Sequence, residues 1–266
     1  LKGCLIKFPK ISVGATENLL IAACYAKGRT KLRNCAIEPE IKDLINFLNK
    51  LGGRIKVVGR KIFINGCKKI KKDIRHEVIF DRIELGTYMI AAALVGKKII
   101  FNKVDSKVIQ NEISVLRKMG VKLKVFKSSI EILKSNSIKR ISLSTKPYPG
   151  FPTDLQAQLM VLLCKSKKRS VLKEEIFENR FMHVAELRRL GAKILIKENK
   201  AIVEGKTNFQ GAELMSSDLR ASVALVLAAI IADGKSIINR IYHLDRGYEQ
   251  IEKKLKKVGA NIKRIS

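Results

Sequence analysis

The chain has 266 residues, with 54 Lys and Arg against 24 Asp and Glu, which gives a formal charge of +30. Apolar residues make up 46% and recur throughout, which excludes intrinsic disorder, and the length allows one or two domains. The longest largely apolar run, Ala221–Ala232, has 12 residues, whereas a membrane-spanning helix needs about 20. Residues 1–4 do not resemble a signal peptide, and because residue 1 is not Met we expect that it is not the natural start of the protein.

The cysteines are odd in number and scattered, with no CxxC pair and no histidine at the spacing of zinc ligands. They are Cys4, Cys24, Cys35, Cys67 and Cys164. We therefore expect no metal site and no disulfide bonds, but reduced thiols in a cytoplasmic protein.

The positive charge raises nucleic-acid binding as a hypothesis, because basic surfaces bind phosphate chains by releasing counterions. Lys and Arg are, however, spread over nearly every segment of the chain. The densest run, Lys68–Lys72, falls in a predicted loop and has no interleaved aromatic residues to stack on bases. The distribution therefore favours small anionic molecules over nucleic acid as binding partners.

Four similar segments divide the chain into repeat units, and each runs from a leucine to a glycine four residues later. The glycines are Gly52, Gly120, Gly191 and Gly259, spaced by 68, 71 and 68 residues. Such regular spacing with matching flanks is the signature of an internally repeated fold.

In chain order, each unit is predicted to contain an apolar helix, a β-branched strand, an amphipathic helix and further strands. The apolar helices are Ala15–Ala26, Thr87–Val95, Asp154–Cys164 and Asp218–Ala232, and the strands after them are Thr30–Cys35, Lys98–Val104, Ser170–Phe177 and Ser236–His243. The repeated glycine suits a left-handed cap at the end of the amphipathic helix. In the first unit, the strand Arg54–Val58 is predicted to turn back as a hairpin.

Because the first helix of each unit is apolar on most of its surface, we expect it to be buried on most sides. The amphipathic helices have one polar face. The sequence therefore predicts an α/β fold of four repeated α-β-α-β-β units, with helices inside and sheets outside.

Several stretches are more specific than the repeat requires. They are Tyr148–Gln158 (YPGFPTDLQAQ), Phe177–His183 (FENRFMH), Ser217–Ser222 (SDLRAS), Ile241–Tyr248 (IYHLDRGY), Lys10–Thr16 and Glu38–Glu40. Along essentially the whole chain, they resemble the UDP-N-acetylglucosamine enolpyruvyl transferases, or 1-carboxyvinyltransferases. The resemblance implies an inside-out α/β barrel and a cytoplasmic transferase without a cofactor. It also implies two substrates, phosphoenolpyruvate and UDP-N-acetylglucosamine, and the first committed step of peptidoglycan synthesis.

The resemblance also implies a domain division. Residues 1–79 correspond to the last unit of a first domain, and residues 80–266 correspond to all three units of a second domain. Family members have two such three-unit domains facing each other across a cleft. We therefore expect this chain to lack an N-terminal portion that holds the loop cysteine protonating phosphoenolpyruvate.

Asp154 matches the family residue that binds the sugar and takes the proton of its 3-hydroxyl. Read from its position alone, it stands with Thr153 at a predicted helix start, where both side chains are placed to cap the helix. A capping carboxylate that also faces the cleft can serve both roles.

Three arginines match residues of the family's cleft. Arg246 matches the contact to the phosphoenolpyruvate carboxylate, and Arg180 and Arg220 match two further cleft arginines. A guanidinium binds carboxylate and phosphate bidentately, which suits these roles. We also expect Asp218 in this cleft. The alternative is that each arginine pairs with a nearby acid such as Asp218 or Asp245.

The resemblance assigns the uridine diphosphate to a turn before a helix, made of Lys10, Ile11, Ser12 and Val13. Ile176 matches a position that touches the nucleotide sugar through its backbone, and is otherwise an ordinary strand residue. Glu38 and Asp81 match polar residues near the hinge and cleft. The alternative interpretation of these two residues is a helix-start carboxylate and a domain-boundary ion pair. We expect His183 to be structural.

Two hypotheses from other classes stay open beside the transferase. In the first, the chain is a non-catalytic remnant of the same fold, and in the second it is a basic nucleic-acid-binding repeat protein. Steeply salt-dependent binding would point to the second of these.

Overall fold

The computed structural model describes residues 1–66, 71, 73–96 and 98–265. The chain divides into two compact units, Leu1–Phe80 with Pro147–Pro149 and Asp81–Lys146 with Gly150–Ser266. Cys67 and most of the basic run Lys68–Lys72 lie outside the described residues. Among the helices that are described, none is both long and apolar enough to cross a membrane.

The first unit packs two helices against a mixed sheet. In chain order, its elements are β1 Leu5–Lys7, α1 Val13–Cys24, β2 Arg29–Arg33, α2 Pro39–Lys50, β3 Arg54–Val58 and β4 Lys61–Asn65. The strand order is β1-β2-β4-β3, with β1 parallel to β2 and the other neighbours antiparallel. The predicted hairpin is confirmed, since β3 and β4 pair in register around a turn in which Gly59 has a φ of +55°.

Helix α1 is less buried than its apolar sequence predicts. Four of its 12 residues are buried, and Ile21 is 44% exposed. The buried Leu20 packs with Leu32 of β2 and Ile41 of α2. The prediction of burial on most sides is therefore wrong for this helix, because within the first unit one face of it meets α2 and the sheet.

The second unit is larger and contains three further repeats of helix and sheet. Its helices are α3 Arg82–Val95, α4 Gln110–Lys118, α5 Gln156–Cys164, α6 His183–Arg189, α7 Leu219–Ile230 and α8 Ile251–Lys257. Its strands are β5 Ile99–Asn102, β6 Leu123–Val125, β7 Ser129–Ile132, β8 Ser142–Ser144, β9 Ser170–Lys173, β10 Ile194–Lys197, β11 Lys200–Val203, β12 Glu213–Met215 and β13 Ile237–Asn239. The described strands form separate sheets in the orders β5-β7-β6, β10-β11-β9-β8 and β12-β13.

The helices of the second unit that the sequence predicts to be buried do form its centre. Helices α3, α5 and α7 pack against one another. All nine residues of α5 are buried, as are most residues of α3 and α7. The expected α/β fold with helices inside and sheets outside is confirmed for this unit, because a helix apolar on every side is stable only when neighbours cover every side.

The repeated glycines end the amphipathic helices as predicted. Their φ angles are all positive, at +111° for Gly52, +82° for Gly120, +96° for Gly191 and +97° for Gly259. Residues with a Cβ rarely adopt this left-handed conformation, whereas glycine adopts it readily. The glycine repeat is therefore a repeat of one backbone turn.

The four strands predicted after the apolar helices all end earlier than expected, and β9 and β13 end earliest relative to the prediction. Strand β9 stops at Lys173 instead of reaching Phe177, because the Glu174 carboxylate accepts the backbone N–H groups of Ile176 and Phe177. Strand β13 covers only Ile237–Asn239, and a 3₁₀ helix follows at Ile241–Arg246. Arg240 between them has a φ of +57°, which takes the chain out of the sheet.

Candidate functional site

Asp154 lies in a 3₁₀ turn, Thr153–Leu155, that leads into α5. The prediction that Thr153 and Asp154 cap this helix is wrong, because neither the turn nor α5 receives a hydrogen bond from a capping side chain. The Asp154 carboxylate, 41% exposed, instead pairs through Oδ1 with the guanidinium of Arg220. Its position in the turn therefore presents the carboxylate to another helix rather than to its own.

Arg220 stands in the first turn of α7, and Asp218 caps that helix. Asp218 Oδ1 accepts the backbone N–H groups of Arg220 at 2.9 Å and of Ala221 at 3.1 Å. The cap holds the start of α7, and the Arg220 side chain extends to Asp154 through both Nε and Nη2. The alternative that the Arg220 side chain pairs with Asp218 is therefore wrong. Its ion pair is with Asp154 and joins α7 to the turn before α5.

Arg180 is the second arginine near the same oxygen of Asp154. Its Nη1 lies 4.0 Å from Asp154 Oδ1, and its guanidinium carbon lies 4.1 Å from the centre of the Phe177 ring. Burial, and then repulsion from the neighbouring Arg220, lower the pKa of Arg180, while Asp154 opposes the shift. Two guanidinium groups close enough to repel each other are stabilised by any anion that binds between them.

A cavity of about 210 Å³ opens beside these groups. Its lining includes Thr153, Gln156, Glu178, Asn179, Arg180, Met182, His183, Asp218 and Arg220. Asp154 lies at its edge, bonded to the arginine that lines it. The cavity thus combines two cationic forks with carboxylate and amide groups, which is a polar surface suited to an anionic, hydroxyl-rich molecule.

His183 lines the same cavity but is 3% exposed. Burial lowers the pKa of its imidazole to about 4, although the Asp218 carboxylate acts in the opposite direction. Its Nε2 is buried and has no hydrogen-bond partner among the described residues. The imidazole is therefore neutral near pH 7 and does not supply positive charge to the cavity.

Two further residues of the predicted site lie outside the cavity lining. Ile176 follows β9 in a loop, where its backbone N–H donates to Glu174 Oε1 at 2.9 Å, so it is not a strand residue. Arg246 ends the 3₁₀ helix and is exposed, with no ion pair to a described residue. Its neighbour Asp245 pairs with Arg264 instead, so the predicted alternative of an Arg246–Asp245 pair is not seen.

The first unit holds the predicted nucleotide-binding turn. Lys10, Ile11 and Ser12 lie between β1 and α1, and Val13 is the first residue of α1. Ser12 caps α1 by accepting the backbone N–H of Ala15 at 3.2 Å. Glu38, 5% exposed, precedes α2 without capping it, and its Oε1 accepts the backbone N–H of Tyr148 at 3.4 Å. In the second unit, Asp81 is a helix-start carboxylate, accepting the N–H groups of Ile83 and Glu84.

Sequence reasoning missed several polar residues that the structure places in or behind the cavity. Glu178 and Asn179 lie within a stretch that carries the family resemblance, so that stretch was a signal for them. Glu174 and Gln158 are buried behind Asp154, at 2% and 1% exposure. No pattern marks Glu174 in the sequence, because its role depends on hydrogen bonds across three loops.

Comparison with known proteins identifies consistent relatives. A family model described as EPSP synthase (3-phosphoshikimate 1-carboxyvinyltransferase) matches residues 1–255. The UDP-N-acetylglucosamine 1-carboxyvinyltransferase of Pelagibacter ubique (strain HTCC1062) is 62% identical over 265 residues, which are 99% of this chain and 63% of the relative. A relative of the same name from Rickettsia bellii (strain OSU 85-389) is 48% identical over 266 residues, 100% of this chain and 63% of its own length. The chain thus spans less than two-thirds of these curated relatives.

Solved structures share the fold at lower identity. The enolpyruvyl transferase NikO from Streptomyces tendae matches with a TM-score of 0.88 and 24% identity, covering 94% of this chain and 60% of that protein. EPSP synthase from Acinetobacter baumannii matches with a TM-score of 0.78 and 20% identity, covering 100% of this chain and 64% of that protein. These likenesses establish the fold of the chain.

Proposed function

Because this chain belongs to the EPSP synthase family of 1-carboxyvinyltransferases, we propose that the natural protein carrying it transfers an enolpyruvyl group to UDP-N-acetylglucosamine. The donor is phosphoenolpyruvate, the acceptor is the 3-hydroxyl of the sugar, and phosphate is released. The choice of acceptor is supported by 62% identity to a relative with that name, against 20% identity to an EPSP synthase.

The observation that carries the proposal is the position of Asp154 at the edge of a polar cavity, with two arginines near one of its carboxylate oxygens. Arg220 occupies Oδ1, whereas Oδ2 accepts no hydrogen bond from the described part of the chain. An exposed carboxylate with one oxygen held and one oxygen open is oriented for a substrate hydroxyl. A general base must come within hydrogen-bond reach of the proton that it removes.

In the proposed reaction, Asp154 takes the proton of the 3-hydroxyl as that oxygen bonds to the central carbon of phosphoenolpyruvate. The methylene carbon gains a proton from an acid that we assign to no residue of this chain. Phosphate then leaves with the electrons of its C–O bond, and loss of a proton from the new methyl group restores the double bond. Arg180 and Arg220 supply positive charge where phosphate and carboxylate oxygens carry negative charge.

The remaining assignments follow the family resemblance. We propose that Arg246, exposed and without an ion pair to a described residue, contacts the carboxylate of phosphoenolpyruvate. Lys10, Ile11, Ser12 and Val13 are proposed to bind the uridine diphosphate, since backbone N–H groups at the start of α1 attract anions. Ile176 is proposed to touch the nucleotide sugar through its backbone.

We further propose that residues 1–79 are the last repeat of a first, substrate-binding domain and that residues 80–266 are a second domain of three repeat units. The division is supported by the two compact units of the chain, which separate at Phe80 and Asp81. The proposed cellular role is the first committed step of peptidoglycan synthesis, in the cytoplasm.

The test is phosphate release by the natural protein supplied with both substrates. We expect release only when phosphoenolpyruvate and UDP-N-acetylglucosamine are both present, together with a product heavier than the sugar nucleotide by one carboxyvinyl group. An acceptor that lacks the 3-hydroxyl is the control and should give no phosphate. Release that proceeds equally with this acceptor, or with shikimate 3-phosphate in place of the sugar nucleotide, would contradict the proposal.

A further inference from the structure

Behind the cavity, one buried carboxylate holds several loops together. Glu174 follows β9 and is 2% exposed. Its Oε1 accepts hydrogen bonds from the Thr145 hydroxyl at 2.8 Å and from the backbone N–H groups of Ile176 at 2.9 Å and Phe177 at 3.2 Å. Its Oε2 accepts the Thr153 hydroxyl at 3.0 Å. The carboxylate is thus bound by four donors from three separate segments.

Among the described residues, no Lys or Arg forms an ion pair with Glu174. A buried carboxylate in this position relies on its hydrogen bonds to offset the loss of hydration, and Arg180 adds an electrostatic attraction without forming an ion pair. Removing those bonds therefore leaves donors in a buried region without acceptors, which costs more than an exposed bond would. This one side chain therefore joins the surrounding loops, in addition to their backbone hydrogen bonds.

The two oxygens hold two loops that carry the proposed site. Oε2 binds Thr153, which immediately precedes Asp154. Oε1 binds the amides of Ile176 and Phe177, and the Phe177 ring lies against the guanidinium of Arg180. Arg180 Nη1 lies 4.0 Å from Asp154 Oδ1. A continuous set of contacts through Glu174 therefore links the loop of Arg180 to the turn of Asp154.

We propose that Glu174 is a positioning residue for the transfer reaction, fixing the Asp154 turn relative to the Arg180 loop. The proposal rests on the proposed function, since the groups that it positions are the base and one anion-binding arginine. Glu174 is buried and is not among the residues that line the cavity, so we assign it no contact with substrate. Its effect is geometric, and a misplacement of about 1 Å in a catalytic group can cost about 10²-fold in rate.

The structure provides a matched pair of variants that separates positioning from stability. Thr153→Val and Thr145→Val remove the same chemical group, a hydroxyl that donates to Glu174. The Thr145 hydroxyl also accepts the backbone N–H of Glu175 at 3.0 Å, so Thr145→Val is the structurally larger change of the two. Thr153 connects Glu174 to the Asp154 turn, whereas Thr145 connects it to the end of β8. We expect Thr153→Val to lower kcat by about 10²-fold and Thr145→Val to lower thermal stability with kcat kept within about threefold.

A conservative change at Glu174 itself tests the same idea. In Glu174→Gln, the amide oxygen can still accept from Ile176 and Phe177, while the amide nitrogen donates to the Thr153 hydroxyl, which can also accept. Glu174→Ala removes every one of these bonds. We therefore expect Glu174→Gln to retain most of the turnover that Glu174→Ala loses.

Because Thr153 also lines the cavity, a double variant distinguishes its two possible effects. If Thr153 acts through Glu174, Thr153→Val in the Glu174→Ala background lowers kcat no further. If Thr153 instead touches substrate directly, the two losses multiply, since independent effects add in free energy. Multiplying losses, or equal loss of kcat in Thr145→Val and Thr153→Val, would overturn the proposal.

A readout without substrate keeps this test separate from the proposed function. The Nε–H proton of Arg220, which donates to Asp154, gives an NMR signal that reports the position of the carboxylate. We expect this signal to shift in Thr153→Val and to stay in place in Thr145→Val. If the natural protein does not transfer enolpyruvate, the proposed function fails, but this signal still shows whether Glu174 positions Asp154. An unmoved signal in Thr153→Val would show that it does not.

Discussion

The buried imidazole of His183 is predicted to make the stability of the second unit depend on pH. His183 is 3% exposed, and burial lowers the pKa of its side chain to about 4, despite the nearby Asp218. In the unfolded chain, the pKa of a histidine is about 6.5. Between these two values, the unfolded state binds a proton that the folded state does not, so stability is full above about pH 6.5 and falls as the pH drops towards 4.

The size of the effect follows from the two pKa values. At pH 7 both states are mostly neutral, and the contribution of His183 to the pH dependence is close to zero. At pH 5, proton binding to the unfolded state lowers the free energy of unfolding by about 2 kcal/mol. This loss is a large share of the total, since domains are commonly stable by about 5–15 kcal/mol.

The assay is urea unfolding of the chain at pH 7 and pH 5, followed by circular dichroism, with His183→Gln as the matched variant. Glutamine fills a similar volume and does not titrate. Carboxylates that protonate in this range contribute equally to both proteins, so the difference between them isolates the imidazole. We expect the wild type to lose about 2 kcal/mol more than the variant between the two pH values. Equal losses would show that the buried imidazole is not held neutral, and the reasoning would be refuted.

Three further predictions follow from the fold and charge. Tyr248→Phe should lower the unfolding free energy by about 1–3 kcal/mol, as measured in a thermal melt. The Tyr248 hydroxyl lies 2.7 Å from Thr87 Oγ1 and 3.3 Å from Gln158 Nε2, and both buried groups lose this partner in the variant. Gly191→Ala should cost about 1–2 kcal/mol, because its φ of +96° is strained for any residue with a Cβ. Gly14→Ala is the matched change and should not destabilise, because Gly14 lies in the first turn of α1, where an added Cβ meets no other atom. Fluorescence anisotropy should show only weak binding to duplex DNA at about 0.15 M salt, and sub-micromolar, salt-steep binding would instead support the nucleic-acid hypothesis.

Much of the fold could be predicted because each repeat leaves a local mark in the sequence. Gly52, Gly120, Gly191 and Gly259 each end a helix in the left-handed conformation, which few other residues tolerate. The continuous apolar run of α5 likewise predicts a helix that is buried on all sides. These signals depend on the backbone and on hydrophobic pattern, so they are visible without tertiary structure.

The predictions that failed depend on distant contacts. Asp154 has the sequence position of a helix cap, but it pairs with Arg220, which is 66 residues away in the chain. Strand β9 ends early because the Glu174 carboxylate accepts two backbone N–H groups. The sequence pattern does not indicate that this glutamate is buried. Helix α1 is as apolar as its counterparts, yet its burial depends on which neighbours pack around it.

The site could be predicted only where it coincides with the family's motifs. Asp154, Arg180 and Arg220 come from three different stretches of the sequence, and the structure brings them together around one carboxylate oxygen. Arg246, Ile176 and the Lys10–Val13 turn do not line the cavity, and their roles stay predictions.

The central claim, that Asp154 removes the proton of the sugar hydroxyl, is tested most directly by the turnover of Asp154→Asn in the natural protein. Asparagine keeps the size of the side chain and an oxygen for Arg220, but it lacks the negative charge and basicity of the carboxylate. We predict that kcat for phosphate release from phosphoenolpyruvate and UDP-N-acetylglucosamine falls by about 10²–10⁴, the usual contribution of a general base. A kcat within about threefold of the wild-type value would contradict the account, because the expected decrease is at least about 10²-fold. Asp154 would then serve only as the ion-pair partner of Arg220.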